Sequence, residues 1–255
     1  MRRFREYRKP GAWLAAGALL LATALPVTAA AAGGSEEWQF DAALYLWAPS
    51  MEITPAKGDT IKISFSDIIS NLDMTFMGML GAHKDKWSLL ADVIYMNLSD
   101  SQYGSGKLIG QNIGTKVDVE MDAWIVTAAG GYNLVDTGTH SLDLLAGARY
   151  ITVDLPLKFQ VGPIKLKTTP SGDYLDGIVG VRGKADLADK WYLSYYLDAG
   201  TGDSSSTWQA LAGLNYQFEK FDAGFGYRYL TWNLDDNALD DLTVKGPYAG
   251  VRFLF

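Results

Sequence analysis

The segment Lys245-Gly-Pro-Tyr-Ala-Gly-Val-Arg-Phe-Leu-Phe255 alternates in a way that only an extended strand can use. Ala249, Val251, Phe253 and Phe255 fall on one face, and Gly250, Arg252 and Leu254 on the other, because successive strand side chains point to opposite sides. A strand that is apolar on one side and mixed on the other suits a sheet with lipid outside and a polar interior. The pattern recurs along the chain. Ten segments read as strands: 38–47, 73–83, 87–99, 117–134, 141–154, 174–187, 191–200, 208–218, 221–233 and 243–255. Most exceed the ~5–6 residues of a soluble strand and match or overshoot the ~9–11 that a tilted membrane strand needs.

The connections sharpen the reading. Lys84-Asp-Lys86, Asp136-Thr-Gly-Thr139, Ala188-Asp-Lys190 and Glu219-Lys220 are tight links, and the connections between them are longer. Strict alternation of short and long links is the asymmetry of outer-membrane barrels, with short periplasmic turns and longer external loops. The expectation is an all-β, antiparallel, up-and-down transmembrane barrel of about ten strands, eight or twelve being the alternatives, with both termini in the periplasm. Twelve would require the stretch 157–167, which alternates on both sides of Gly162-Pro163, to cross twice. Its short arms carry lysine on alternate residues, so an external hairpin extending the fifth and sixth strands is expected instead.

The amino-terminal stretch has a different character. Arg2, Arg3, Arg5, Arg8 and Lys9 precede an apolar run over 12–25 and the small residues of Val27-Thr-Ala-Ala-Ala-Ala32. That order predicts a secretory signal peptide over 1–32, cleaved between about 29 and 32, with the barrel domain over 33–255. The apolar run is too short to span a bilayer as a helix. Removing 1–32 leaves 17 basic against 28 acidic residues, a balance unsuited to nucleic acid, whose phosphates need a basic face. The chain has no Cys, so neither disulfides nor thiolate metal sites can hold the fold. No cofactor and no metal are expected.

Face assignment yields two sets of candidate residues. Outward-facing Trp38, Trp87, Trp191, Phe218, Phe221 and Phe255 lie at the turn ends of their strands, where an aromatic girdle meets the membrane interface. The inward set carries charge on nearly every strand: Asp41, Asp92, Asp143, Arg149, Asp176, Arg182, Asp198, Arg228 and Arg252. Arg149 and Asp176 read as neighbours, and Arg228 and Asp198 lie at similar heights. These charges either line a polar conduit or satisfy one another in a packed lumen. About eight strands leave an interior just filled by side chains and sixteen leave a channel, so ten favours the packed lumen.

Catalysis finds little support. The two histidines, His83 and His140, both map to turn ends on non-adjacent strands, leaving no base for a His-Ser or His-Asp site at the loop end. Asp118, Glu120 and Asp122 share one strand face and read first as a solvated acidic rim. Asp235, Asp236, Asp240 and Asp241 lack calcium-loop spacing. These acids could meet lipopolysaccharide through divalent cations, and Lys158, Lys165 and Lys167 could meet its phosphates directly. Residues 64–72 read as one or two helical turns, Ser64 and Asp67 being spaced as a capping box.

Several stretches carry a resemblance. They are Tyr45-Leu-Trp47, Phe65-Ser-Asp-Ile-Ile-Ser-Asn-Leu-Asp73, Trp87-Ser-Leu-Leu-Ala-Asp-Val-Ile-Tyr95, Leu142-Asp-Leu-Leu-Ala-Gly-Ala-Arg-Tyr150, Gly224-Phe-Gly-Tyr-Arg-Tyr229 and the ending from Gly246 to Phe255. Together the chain resembles small Gram-negative outer-membrane β-barrel proteins of the broad OmpA/OmpW-like group. The resemblance implies fold and outer-membrane location, and the terminal Phe255 resembles the signal read by the barrel-assembly machinery. No substrate or catalytic residue comes with it. The function expected is a monomeric barrel among outer-membrane lipids and lipopolysaccharide, with a structural, surface-interaction or limited-permeation role and no catalytic activity. A narrow channel for small solutes is the alternative, and a surface hydrolase or acyltransferase a distant third.

Overall fold

A computed structural model describes residues 37–55, 60–64, 66, 72–108, 111–154, 157–161, 164–168, 171–234 and 239–255. The expected signal peptide over 1–32 and most of the expected helical turns over 64–72 lie outside the described residues.

Fourteen strands follow in chain order: β1 (Gln39–Trp47), β2 (Ser50–Pro55), β3 (Ile61–Ile63), β4 (Leu72–Lys84), β5 (Trp87–Leu108), β6 (Gln111–Asp136), β7 (His140–Asp154), β8 (Leu157–Val161), β9 (Ile164–Thr168), β10 (Ser171–Ala188), β11 (Trp191–Gly202), β12 (Ser206–Gln217), β13 (Asp222–Asn233) and β14 (Leu239–Leu254). Ten of them form a closed antiparallel barrel in the order β1-β4-β5-β6-β7-β10-β11-β12-β13-β14, with β14 pairing back onto β1. Closure runs to the last residue, where Phe40 and Phe255 exchange backbone hydrogen bonds of 3.2 and 2.8 Å. Closure is what lipid demands, since an open sheet edge would leave backbone donors and acceptors unpaired in hydrocarbon.

The ten expected strands are all present, and the remaining four lie beyond the barrel at the loop end. The β5–β6 hairpin continues past the barrel from Ser99↔Glu120 to Leu108↔Gln111. Residues 157–161 and 164–168 form the hairpin β8–β9, which does not span. It does not extend the two barrel strands that flank it, as the sequence suggested. β7 stops at Asp154 opposite Asp122, which leaves the edge of β6 free above that point, and β8 takes it, pairing from Val119↔Leu157 to Thr115↔Val161. The second pair, β2–β3, was not foreseen. After a break at Ala48–Pro49 the chain resumes as β2 along the upper part of β14, from Ser50↔Lys245 to Pro55↔Leu239. Pro49 has no N–H to give the ladder, so the break falls where the proline is tolerated.

The outer surface is apolar. Phe40, Leu44, Leu46, Phe76, Leu80, Leu89, Leu175, Val179, Leu197 and Phe225 stand more than half exposed, as lipid-facing side chains should. At the turn end Trp87 meets Tyr132 and Trp191 meets Tyr216, each at 5.0 Å between ring centroids, and Phe218 stacks on Phe221 at 4.7 Å. Trp38 and Phe255 complete this girdle. A second one runs through Tyr95 and Trp124, 4.5 Å apart, and Trp208 and Tyr229, 4.6 Å apart. Tyr95 lies eight positions beyond Trp87 on β5. At ~3.3 Å per residue and a tilt of about 40°, the girdles stand roughly 20 Å apart, close to the height of a barrel's apolar belt.

Leu80 lies midway between those girdles, opposite Ala42 and Ala91. Leu80→Arg is expected to destabilise the barrel by about 2–4 kcal/mol, read as a lower urea midpoint in lipid vesicles, whereas Leu80→Ala shifts it far less.

Candidate functional site

Inward positions at mid-height carry the charges. Arg149 on β7 donates to Asp198 on β11 through Nη1, at 2.9 Å, and through Nη2. Its Nε and Nη1 also reach the hydroxyls of Thr127 and Thr207 at 3.3 and 3.2 Å. Both charged side chains are 0% exposed. Arg228 on β13 crosses toward β5 and donates to Asp92 at 2.7 Å, with side-chain exposures of 1% and 5%. Gln209 accepts from its Nε and Nη2 at 2.9 and 2.6 Å, the Tyr45 hydroxyl accepts from Nη1 at 2.9 Å, and the Trp47 ring lies 5.1 Å away. Tyr45 in turn donates to Asp92 at 2.5 Å. Such saturation is what burial of a guanidinium–carboxylate pair requires, because an uncompensated charge there is strongly destabilising.

The pairing differs from the sequence reading. Arg149 and Asp176 are register partners, yet their side chains do not pair: the Asp176 carboxylate is buried and accepts from the Ser204 amide at 2.9 Å. Asp198 goes to Arg149, and Arg228 goes to Asp92. The reason is reach. In a narrow cylinder a long arginine passes its cross-strand neighbour and finds a carboxylate on another strand, and shear blurs any height matched along the chain.

Above this layer, toward the loop end, the lumen is filled by Trp47, Met51, Ile53, Met77, Ile94, Met96, Ile125, Ile151, Val153, Leu230, Trp232, Leu242 and Val244 in one buried cluster. Sequence reasoning missed this plug. Its signal was legible in outline, since the inward residues of β4, β5, β6, β7 and β13 turn from polar to apolar toward their loop ends. The contribution of Met51 and Ile53 was not legible, because nothing marked β2 as packing over the mouth. Tyr45, Gln209, Thr127 and Thr207 as ligands of the two arginines, and the upper girdle around Tyr95 and Trp124, were also missed.

Below the layer lies a chamber of about 360 Å³ open toward the turn end. Arg182 bonds Asp143 at 3.0 Å, and Asp143 also accepts from Ser88 at 3.2 Å and Asn133 at 2.9 Å. Arg252 bonds Asp41 at 3.2 Å. Tyr192 donates to Asp222 at 2.7 Å, and His83 bonds Gln39 at 2.6 Å. Gly226 makes room for its cross-strand partner Tyr248, since a Cβ there would come within 2.8 Å of the tyrosine ring.

The remaining candidates form no shared site. Asp122 accepts from Tyr95 and Asn97, both at 3.0 Å, while the side chains of Asp118 and Glu120 lie outside the described residues. His140 bonds Thr139 at 2.9 Å in a turn. Among the described residues no group of three or more His, Cys, Asp or Glu is placed to hold a metal ion.

No family model matches the chain, so the OmpA/OmpW-like grouping gains nothing from that comparison. No curated protein matches it either. Similar solved structures are outer-membrane barrels. The outer membrane protease OmpT from Escherichia coli matches with 9% identity over 87% of this chain and 98% of that one, at a TM-score of 0.48. The translocator domain of the autotransporter NalP from Neisseria meningitidis matches with 12% identity over 86% and 89%, at 0.44. Ail, the attachment invasion locus protein of Yersinia pestis, matches with 11% identity over 87% and 100%, at 0.36. Likenesses this distant bring no activity to the present chain. Its closed strand order, its apolar belt and its girdles are those of a β-barrel of the outer membrane.

Arg228→Met should leave Asp92 buried and unpaired and cost about 3–5 kcal/mol, while Arg228→Met combined with Asp92→Leu should recover most of that loss. Urea midpoints of the folded, heat-modifiable form measure both.

Proposed function

We propose that this protein is a sealed outer-membrane barrel with a structural and surface-interaction role, its termini in the periplasm and its long hairpins outside the cell. The support is the sequence of two barriers across the lumen. The saturated layer built on Arg149–Asp198 and Arg228–Asp92 admits no ion without breaking a buried pair. The apolar plug around Trp232, Leu230 and Ile94, each 0% exposed, stands directly above it. A solute would have to displace both. The external elements, β2–β3, β8–β9 and the upper β5–β6 hairpin, are the parts offered to lipopolysaccharide or to another surface.

In this reading the partners are outer-membrane lipids, lipopolysaccharide and, through β14 and the Phe255 that follows it, the barrel-assembly machinery. The protein acts as a monomer and not as a catalyst. Catalysis is left out because His83 and His140 sit at turn ends beside structural partners. The second reading, a narrow channel for small solutes, draws on one observation, the chamber that already opens half of the lumen from the turn end.

Planar-bilayer recording separates the two. The intact barrel is expected to give no stable unitary current. Removing the plug and the layer together, with Trp232→Ala and Arg228→Ala, is expected to open it. Reproducible unitary currents from the unaltered protein would establish the channel instead.

A further inference from the structure

The chamber below the ion-pair layer balances its charges in number but not in exposure. Arg182 donates to Asp143 through Nε, and Arg252 donates to Asp41 through Nε. In each pair the guanidinium is the open partner: 27% exposed against 14%, and 37% against 13%. Lys184, another lining cation, is 40% exposed, and its partner Asp186 is not among the lining residues. The remaining carboxylate, Asp222, is buried and lies opposite Arg252 in register. Among the charged groups lining the chamber below that layer, the basic side chains are therefore the more exposed. Arg182 on β10, Arg252 on β14 and His83 on β4 all line this one chamber.

Deeper in, the wall changes. Leu90, Met79, Leu211 and Tyr196 pack together and line the same chamber. The roof offers nothing further to a charged ligand, because the donors of Arg228 already serve Asp92, Gln209 and Tyr45. Cationic mouth, apolar middle and saturated roof define a polarity. At ~30 Å³ per water-sized group, the volume of 360 Å³ holds on the order of a dozen non-hydrogen atoms. Ligand sites of this size are commonly apolar with a few convergent polar groups.

We infer that the chamber is a binding site for a small single-chain anionic amphiphile, its carboxylate or phosphate head held at the mouth by Arg182 and Arg252 and its chain lying against Leu90, Met79, Leu211 and Tyr196. Arginine suits the head, since its fork bonds such oxygens bidentately. The site does not depend on whether the barrel conducts, so its failure and that of the sealed-barrel reading are separable.

The test titrates the full barrel in phosphatidylcholine nanodiscs with decanoate, acetate and decyltrimethylammonium, with empty discs subtracted. Decanoate is expected to bind saturably at one site, and the other two are not. Arg182→Gln with Arg252→Gln should weaken decanoate at least tenfold. Met79→Trp, which fills the chamber and leaves every charge in place, should abolish binding even if the double variant fails to fold. Heat-modifiable migration verifies folding in each case. Absence of decanoate binding, equal binding of the cation, saturable binding of acetate, or decanoate binding untouched by the substitutions would each overturn the site. Phosphatidylglycerol discs identify the source: displacement of decanoate assigns the anion to the bilayer, persistence assigns it to the aqueous phase, and both support the site.

Discussion

Backbone hydrogen bonding in hydrocarbon governs this molecule before any side chain does. Each strand must find partners on both edges, and the sheet must meet itself, because unpaired peptide groups in lipid cost several kcal/mol apiece. The pairing of β1 with β14 discharges that requirement. Beyond the membrane the rule relaxes, and the architecture changes at once. β2 leaves the cylinder while keeping β14 as its partner, β8 picks up a spare edge of β6, and the β5–β6 hairpin runs on with fewer neighbours.

Ten strands set the width of the interior, and the width decides how polar groups are satisfied. A wide barrel leaves them to water. Here the walls are close enough for Arg228 on β13 to reach Asp92 on β5 across the lumen, while Arg149 on β7 spans β10 to reach Asp198 on β11. The lumen is thereby divided by height into an apolar upper part, a charged middle and a half-open lower part. Tyr248 packs against the apolar upper cluster and also lines the chamber, in the room left by its register partner Gly226.

The fold was largely legible because period-two alternation is a local property, and the tight links Lys84-Asp-Lys86 and Glu219-Lys220 punctuate it. Parity also told which side of each strand faces inward, so the residues of the charged layer could be named. Their partners could not. Which carboxylate Arg149 takes depends on shear, lumen width and side-chain reach, none of which is written in neighbouring residues. β2 was hidden for a related reason. Its six residues follow a proline and resemble a loop, and only the free upper edge of β14 makes them a strand. The plug needed both kinds of information, parity for Ile94 and Leu230 and the position of β2 for Met51.

The seam between first and last strand has a kinetic side. Asp41 opposite Leu254 joins residues from nearly the two extremes of the described chain, whereas β10 to β13 are linked by tight or short turns. Loop-closure entropy makes the long-range junction slow and the local hairpins fast. Until the ends join, β14 exposes one unpaired margin to its surroundings, and during that interval a competing strand from another molecule could occupy the place of β1. The sealing of the cylinder is therefore also the moment at which its tendency to aggregate ends.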